Sequence, residues 1–163
     1  MKKIVLAAVA ATIAVPAAAA PGDTATASGS ATANIVAPIS LTHTSGAALD
    51  FGTLTAGTGG TVVVNAAGAS AATGDVTIVP ATTSSADAFT VAGDPGRSYT
   101  ITTGGGSVAN GANSMAFTTL SSKATGTLVG GADSFTVGGT LTVASGQATG
   151  LYSGSYSATV TYN

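Results

Sequence analysis

The sequence of 163 residues predicts an all-β protein, an antiparallel β-sandwich. Thr and Val are abundant, and apolar and polar residues alternate with a period of two along much of the chain. Gly-rich turns separate these short alternating runs at nearly regular spacing. Beyond residue 20, no stretch repeats apolar residues at the helical spacing. The chain therefore contains no strand–helix–strand pattern, and the sheets are expected to be antiparallel.

The predicted strands follow one another from residue 31 to the C-terminus. An alternating run over residues 31–42 contains Pro38, which argues for an edge strand or a break at that point. A β-solenoid is the structural alternative, but the chain has no fixed repeat period. The later predicted strands are 49–54, 61–65, 75–79, 88–91, 98–102, 115–118, 134–137, 140–143 and 156–162, with turns at 57–60, 92–96, 104–106 and 130–131.

The N-terminus has the layout of a secretory signal peptide. Lys2 and Lys3 precede an apolar run over residues 4–15, and the small residues 17–20 offer a cleavage site, with the cut predicted after Ala19. A membrane anchor is the alternative, but this run is shorter than the about 20 residues that a span needs. We therefore expect export through the inner membrane to the periplasm, then to the cell surface, a fimbrium or the extracellular space. No transmembrane segment is expected in the mature chain.

The predicted organisation has three parts. Residues 1–19 form the signal peptide, residues 20–34 an N-terminal extension, and residues 35–163 the sandwich domain. The core of this domain is expected to be thin, because Ala, Gly, Thr and Ser make up well over half of the chain. An added strand from another molecule would supply contacts that such a core lacks.

Composition excludes several functional classes. Four basic residues cannot neutralise a row of phosphates, so no nucleic-acid partner is expected. The absence of Cys excludes a disulfide framework, Cys-ligated zinc and iron–sulfur clusters. With one His and no Glu, the chain has little material for acid–base catalysis, and it is not expected to be an enzyme.

No residue is assigned a catalytic, cofactor-binding or metal-binding role. His43 ends an alternating stretch and is interpreted as an ordinary strand-end residue, because a metal site would need further ligands. A calcium site made of loop carboxylates is the alternative use of the acidic residues, although no Asp-x-Asp spacing occurs. Arg97 and Lys123 are interpreted as solvated surface charges. The carboxylates at predicted strand starts or in loops are Asp75, Asp87 and Asp133.

The C-terminal residues form the most informative segment. Alternate positions from Tyr152 to Tyr162 are apolar or small, which predicts a final half-buried strand. This end resembles the C-terminal strand of bacterial chaperone–usher pilus subunits, which has a penultimate Tyr and a Gly fourteen positions from its end. Tyr162 and Gly150 hold these two positions here.

A second resemblance involves both ends of the domain. Residues 49–52, Leu-Asp-Phe-Gly, are similar to the Leu-x-Phe-Gly entry segment of spore-coat-U-like and pilin-like secreted proteins. Closer still is an uncharacterised bacterial family of secreted domains, domain of unknown function 4402. Its pattern combines Ala-Pro-Ile, here residues 37–39, with Leu-x-Phe-Gly and with a Gly-x-Tyr-x-Gly-x-Tyr segment before a final Thr-Val-Thr-Tyr-Asn.

The resemblance implies an immunoglobulin-like (pilin-like) sandwich that lacks one strand. In such pilins a periplasmic chaperone first fills the open groove, and the N-terminal extension of a neighbouring subunit then replaces it at an outer-membrane usher. The protein would then be a structural subunit of a fimbria or another cell-surface assembly, a self-polymer. The expected acceptor residues are Gly150, Tyr152, Tyr156, Ala158, Val160 and Tyr162. The expected donor residues are Ala25, Ala27, Gly29, Ala31, Ala33 and Ile35, although this run could instead be the domain's own first strand or a linker.

Two other functions stay open on the sequence. A self-contained secreted sandwich would bind carbohydrate or another surface polymer, with Tyr99, Tyr152 and Tyr156 stacking on sugar rings. The position of Tyr156, buried in a groove or exposed as a platform, discriminates between the two readings. A secreted hydrolase would depend on His43, but the chain offers no Gly-x-Ser-x-Gly elbow and no second base.

Overall fold

The computed structural model describes Gly22 and residues 24–163. Residues Ile35–Asn163 form one compact unit, and the residues up to Asn34 belong to a separate unit. The signal peptide predicted over residues 1–19 lies outside the described residues. Among those that are described, there is no helix with the length and apolar character that a membrane span requires.

The compact unit is an all-β antiparallel sandwich, which confirms the predicted fold class. Its strands, in chain order, are β1 (Ser40–His43), β2 (Leu54–Thr55), β3 (Gly60–Val64), β4 (Ser70–Gly74), β5 (Thr77–Ile78), β6 (Asp87–Ala92), β7 (Ser98–Thr103), β8 (Gly106–Asn110), β9 (Asn113–Ser121), β10 (Thr125–Thr127), β11 (Ala132–Val143), β12 (Ser153–Ser155) and β13 (Ala158–Tyr162).

Two main sheets build the sandwich. The larger sheet has the order β1-β6-β11-β9-β8-β12, with β3 also paired to β11 and β4 paired to β3. The smaller sheet has the order β10-β7-β13, and β2 and β5 pair separately. The C-terminal segment contributes to both main sheets, because β12 pairs with β8 whereas β13 pairs with β7.

Strand β11 is the centre of the larger sheet. Its first half pairs with β6 and its second half pairs with β3, while β9 runs along its opposite side. Gly138 and Gly139 lie at the change of partner, and both are buried. A Cβ on Gly139 would lie 2.5 Å from the carbonyl oxygen of Thr118. Only glycine therefore allows the neighbouring backbones to approach this closely.

The core consists of two clusters. The first cluster lies between β3, β9 and the second half of β11, and the second lies between β6, β7 and the first half of β11. Tyr156 packs against both clusters, with its ring edge-on to Phe89 and Phe117. The buried residues of the first cluster are Phe51, Val62, Val64, Val76, Met115, Phe117, Leu141 and Val143. Those of the second are Val91, Tyr99, Ile101, Leu128, Phe135 and Val137.

Several predicted strands are corrected by the structure. The alternating run over residues 31–42 becomes a strand only from Ser40, after Pro38. Residues 49–54 are mostly irregular, and only the two-residue strand β2 forms at their end. The predicted strands 134–137 and 140–143 are one strand, because Gly138 and Gly139 continue β11 instead of turning it. Gly106 begins β8 and does not belong to a loop.

Candidate functional site

The C-terminal segment has a free edge along its length. Within the described residues, strand β12 pairs only with β8, and strand β13 pairs only with β7. Strand β1, which faces β13, pairs only with β6. Unpaired backbone N–H and C=O groups on such edges are ready to pair with another strand. We call the cleft between residues 37–56 and residues 147–162 the strand groove.

Two cavities open along the strand groove. The larger cavity, of about 610 Å³, lies between residues 49–56 and residues 147–152. The smaller cavity, of about 410 Å³, lies between the chain around His43 and the chain around Ser155. Leu49, Phe51 and Val108 line both cavities, so the two cavities are adjacent. Their other apolar lining residues include Leu54, Met115, Leu141, Val143, Tyr152, Phe89, Phe117 and Tyr156.

The strand groove narrows toward the end of β13. Three side chains are half-buried against the second core cluster there. They are those of Ile39 just before β1, Leu41 of β1 and Val160 of β13. The Cα atoms of β1 and β13 approach within 8 Å. Tyr162 closes this end, because its hydroxyl donates to the carbonyl oxygen of Ala37 at 3.0 Å. The same hydroxyl accepts the backbone N–H of Asp94 at 2.7 Å.

A polar network lies on the floor of the smaller cavity. The carboxylate of Asp87, only 5% exposed, accepts three hydrogen bonds. His43 Nε2 lies 2.6 Å from Oδ1, and the backbone N–H of Ala88 donates to the same oxygen at 2.8 Å. The Tyr156 hydroxyl donates to Oδ2 at 2.8 Å. Burial of its ring, and then the hydrogen bond to Asp87, raise the pKa of Tyr156 well above its usual range.

The structure gives this network a structural role that the sequence did not predict. His43 is the last residue of β1, as its interpretation as a strand-end residue requires. Asp87 does begin a strand, but it is buried and bridges β1 to the C-terminal segment. No group of three acidic or His side chains within the described residues could hold a metal ion.

A second polar network lies at the start of β11. Lys123 Nζ donates to Asp133 Oδ2 at 2.6 Å, and the Tyr99 hydroxyl donates to the same oxygen at 2.9 Å. Burial raises the pKa of Tyr99 to about 12, helped by the Asp133 carboxylate. Burial would also raise the pKa of Asp133, but hydrogen bonds from Lys123, from the Ser134 N–H and from Tyr99 lower it. Lys123 is thus ion-paired and not a freely solvated charge.

Arg97, Tyr99 and Tyr156 differ in exposure and in partners. Arg97 also forms an ion pair, with Asp94 Oδ2 at 3.0 Å from its Nε. Tyr99 has no exposed surface, so the expectation that it stacks on sugar rings is wrong. Tyr156 is half-buried in the strand groove and is not an exposed platform.

The acceptor and donor residues differ in their surroundings. Gly150, at the start of the acceptor segment, is exposed. The other acceptor residues are half-buried and line the strand groove or pack on the core, namely Tyr152, Tyr156, Ala158, Val160 and Tyr162. The donor residues Ala25, Ala27, Gly29, Ala31 and Ala33 are exposed and form no regular secondary structure. Ile35 is 94% exposed, the highest value among the large apolar side chains of the described residues.

The fold is an antiparallel β-sandwich domain in which β1, β12 and β13 each pair with a single neighbouring strand of the described residues. The family described as Domain of unknown function (DUF4402) matches residues 39–162, and the chain belongs to that family. The predicted resemblance to this family is therefore confirmed. No curated protein and no solved structure matches the chain.

Proposed function

We propose that this protein is a secreted, non-enzymatic structural subunit of a fimbria or another cell-surface assembly, and that it assembles by β-strand complementation. One observation carries the proposal. The strand groove is flanked by unpaired strand edges and floored by apolar side chains of both core clusters. An inserted strand would hydrogen-bond to the free edge of the C-terminal segment and cover this apolar floor.

The chain contains a segment that suits insertion. Residues 25–35 alternate small apolar residues with Thr, Ser and Asn, and residues 24–34 are exposed without regular structure. An extended segment of this length spans about 36 Å. The acceptor residues 152–162 are equally long. The donor would come from a second copy of the chain, so the partner is a self-polymer.

Insertion requires a rearrangement at the narrow end of the strand groove. Strands on either side of an inserted third strand lie about 9.6 Å apart, twice the usual strand spacing. Because the Cα atoms of β1 and β13 approach within 8 Å, β1 must move outward and the Tyr162–Ala37 hydrogen bond must break. A periplasmic chaperone that occupied the groove, and an outer-membrane usher that exchanged it for the donor, would lower this barrier.

The proposal is tested on protein harvested from the surface of its native host. We expect an unboiled SDS gel to show a ladder that collapses to one band on boiling, because strand exchange is kinetically stable. Deletion of residues 25–35 should abolish the ladder. A matched variant, in which only the outward-facing residues of that segment are changed to Ser, should retain it. A single monomer band in both boiled and unboiled lanes would contradict the proposal.

Carbohydrate binding is the second candidate function, and the larger cavity favours it. Tyr152 lines this cavity, and its hydroxyl accepts from Gln147 Nε2 at 2.9 Å and donates to the carbonyl oxygen of Ala148 at 2.8 Å. An aromatic ring beside amide and hydroxyl groups suits a sugar ring. Two results together would favour this function over assembly. The protein would form no ladder, and it would bind glycans on an array in a way that Tyr152→Ala abolishes.

A further inference from the structure

We infer, given the proposed strand complementation, that the donor runs antiparallel to residues 152–162, with Ala31 opposite Tyr156 and Ile35 opposite Tyr152. In this register the acceptor segment supplies the large side chains and the donor supplies small ones. The strand groove would therefore select a donor of small inward-facing residues that ends in one large apolar residue.

Side-chain size is distributed unequally between the acceptor and the donor. The acceptor's tyrosines already occupy much of the groove. The Tyr156 ring packs edge-on to Phe89 and Phe117, and the Tyr162 hydroxyl reaches the carbonyl oxygen of Ala37. Inward-facing donor residues opposite these rings must be small. Five of the six donor residues are Ala or Gly.

The position of Ile35 sets the direction of the donor. Ile35 is the one large apolar residue of the donor segment, and it stands at its C-terminal end. The cavity of about 610 Å³ lies at the Tyr152 end of the acceptor, and the Tyr162 ring closes the other end. Only an antiparallel donor brings Ile35 to the large cavity. A parallel donor would press Ile35 against Tyr162.

The lengths of the two segments set the register. Donor and acceptor have equal length, and Tyr156 and Ser157 separate β12 from β13, so the donor has to continue past this break. Placing Ile35 beside Tyr152 then also places Ala25 opposite Tyr162. A shift by one residue would turn Thr and Ser into the groove, because successive side chains of a strand point to opposite faces. A shift by two residues would remove Ile35 from the position opposite Tyr152.

The buried Asp87 carboxylate does not require a polar donor residue. A buried carboxylate would normally demand a polar group from the incoming strand. Asp87 needs no hydrogen bond from the donor strand, because His43, Ala88 and Tyr156 already donate hydrogen bonds to it. A methyl group such as that of Ala31 is therefore sufficient opposite Tyr156.

Cysteine pairs test the register cleanly, because the natural chain contains no cysteine. In the inferred register Ser28 faces Thr159, and both side chains point away from the groove. Directly opposed Cβ atoms in an antiparallel pair lie about 4.5–5.5 Å apart, whereas diagonal ones lie about 7–8 Å apart. The full chain carrying S28C and T159C should therefore form a covalent ladder on boiled, non-reducing gels about tenfold faster than the shifted pairs.

The controls are T26C with T159C and S30C with T159C for a shifted register, and S28C with S155C for a parallel donor. Faster cross-linking in any control pair overturns the register and leaves strand exchange standing. A ladder without cross-linking in any pair also overturns the register. Absence of both the cross-links and the heat-sensitive ladder overturns the proposed function as well.

A second test addresses side-chain size. Ala31→Leu enlarges an inward-facing donor residue, and Thr32→Leu makes a matched change on the outward face. Both positions lie outside the compact unit Ile35–Asn163, so the substitutions leave its core unchanged. We expect A31L to abolish the heat-sensitive ladder and T32L to retain it. An undiminished ladder from A31L would refute the size selection.

Discussion

Removal of one hydroxyl group, by Tyr156→Phe, tests whether the Asp87 network holds the C-terminal segment to the sandwich. The substitution keeps the aromatic ring, whose centroid lies 6.3 Å from that of Phe89 and 6.1 Å from that of Phe117. It removes the hydrogen bond of 2.8 Å to Asp87 Oδ2. The packing therefore stays constant while a buried carboxylate loses one of its three donors.

The expected loss follows from the charge and the burial of Asp87. Hydrogen bonds to charged groups contribute about 1.5–3 kcal/mol, and a buried acceptor left without its donor loses the full benefit. We therefore expect the free energy of unfolding to fall by about 2 kcal/mol. With a typical slope of about 2 kcal/mol per molar urea, the unfolding midpoint should fall by about 1 M.

The assay is equilibrium urea unfolding of the purified domain, with Tyr152→Phe as the control. The Tyr152 hydroxyl also makes two hydrogen bonds, but to Gln147 and to the backbone of a surface loop, so its loss should cost about 0.5 kcal/mol. Equal losses from the two variants would refute the reasoning, because they would show that the Asp87 contact is worth no more than an exposed one.

The pH dependence gives this prediction a second readout. The pKa of Tyr156 is raised in the folded protein, so the unfolded chain releases this proton first as the pH rises. The contribution of Tyr156 is therefore complete below its unfolded pKa of about 10 and is lost as the pH rises above that value. The stability of the Y156F variant should fall less steeply above pH 10 than that of the natural chain, and parallel curves would contradict the raised pKa.

Three further predictions concern other parts of the fold. Leu128→Ala should lower the free energy of unfolding by about 2–5 kcal/mol in urea, because Leu128 is fully buried; a loss typical of a surface site would contradict that burial. Gly139→Ala should lower the melting temperature measured by circular dichroism, because its Cβ would meet the Thr118 carbonyl, whereas Gly29→Ala in the exposed segment should leave it unchanged. Tyr162→Phe should remove about 1–2 kcal/mol of stability and accelerate ladder formation, because it unlocks the closed end of the strand groove; an unchanged rate would show that this closure does not limit assembly.

The sequence predicts those strands whose two faces differ in composition. In β3 the Val residues at positions 62 and 64 are buried while Val63 is exposed, so alternation and burial agree. Strand β12, Ser-Gly-Ser, offers no such contrast, and it exists only because β8 supplies its hydrogen-bonding partner. A Gly-Gly pair usually indicates a turn, but in β11 it meets the need for close backbone approach, which only the assembled sheet reveals.

The candidate site divides in the same way. The half-buried alternation of the C-terminal segment could be predicted, because its tyrosines lie within one continuous stretch, whereas its role as a strand acceptor stays a prediction. The Asp87 network could not be predicted, because His43 and Tyr156 lie 44 and 69 residues from Asp87. Only the sheet order brings these three side chains together. Neither hydrophobic periodicity nor turn chemistry specifies such distant neighbours.

Strand β11 also determines when the protein can fold during synthesis. Its partners β3, β6 and β9 all precede it in the chain, so the larger sheet has no centre until residues 132–143 are available. Before that point the chain holds the partners of hairpins such as β3–β4 and β8–β9 and of the pairs β1–β6 and β7–β10, but not the strand that joins them. Folds dominated by such distant pairings form slowly, on the order of milliseconds to seconds. A nascent chain that ends before Ala132 therefore lacks the strand that joins β3, β6 and β9 into one sheet.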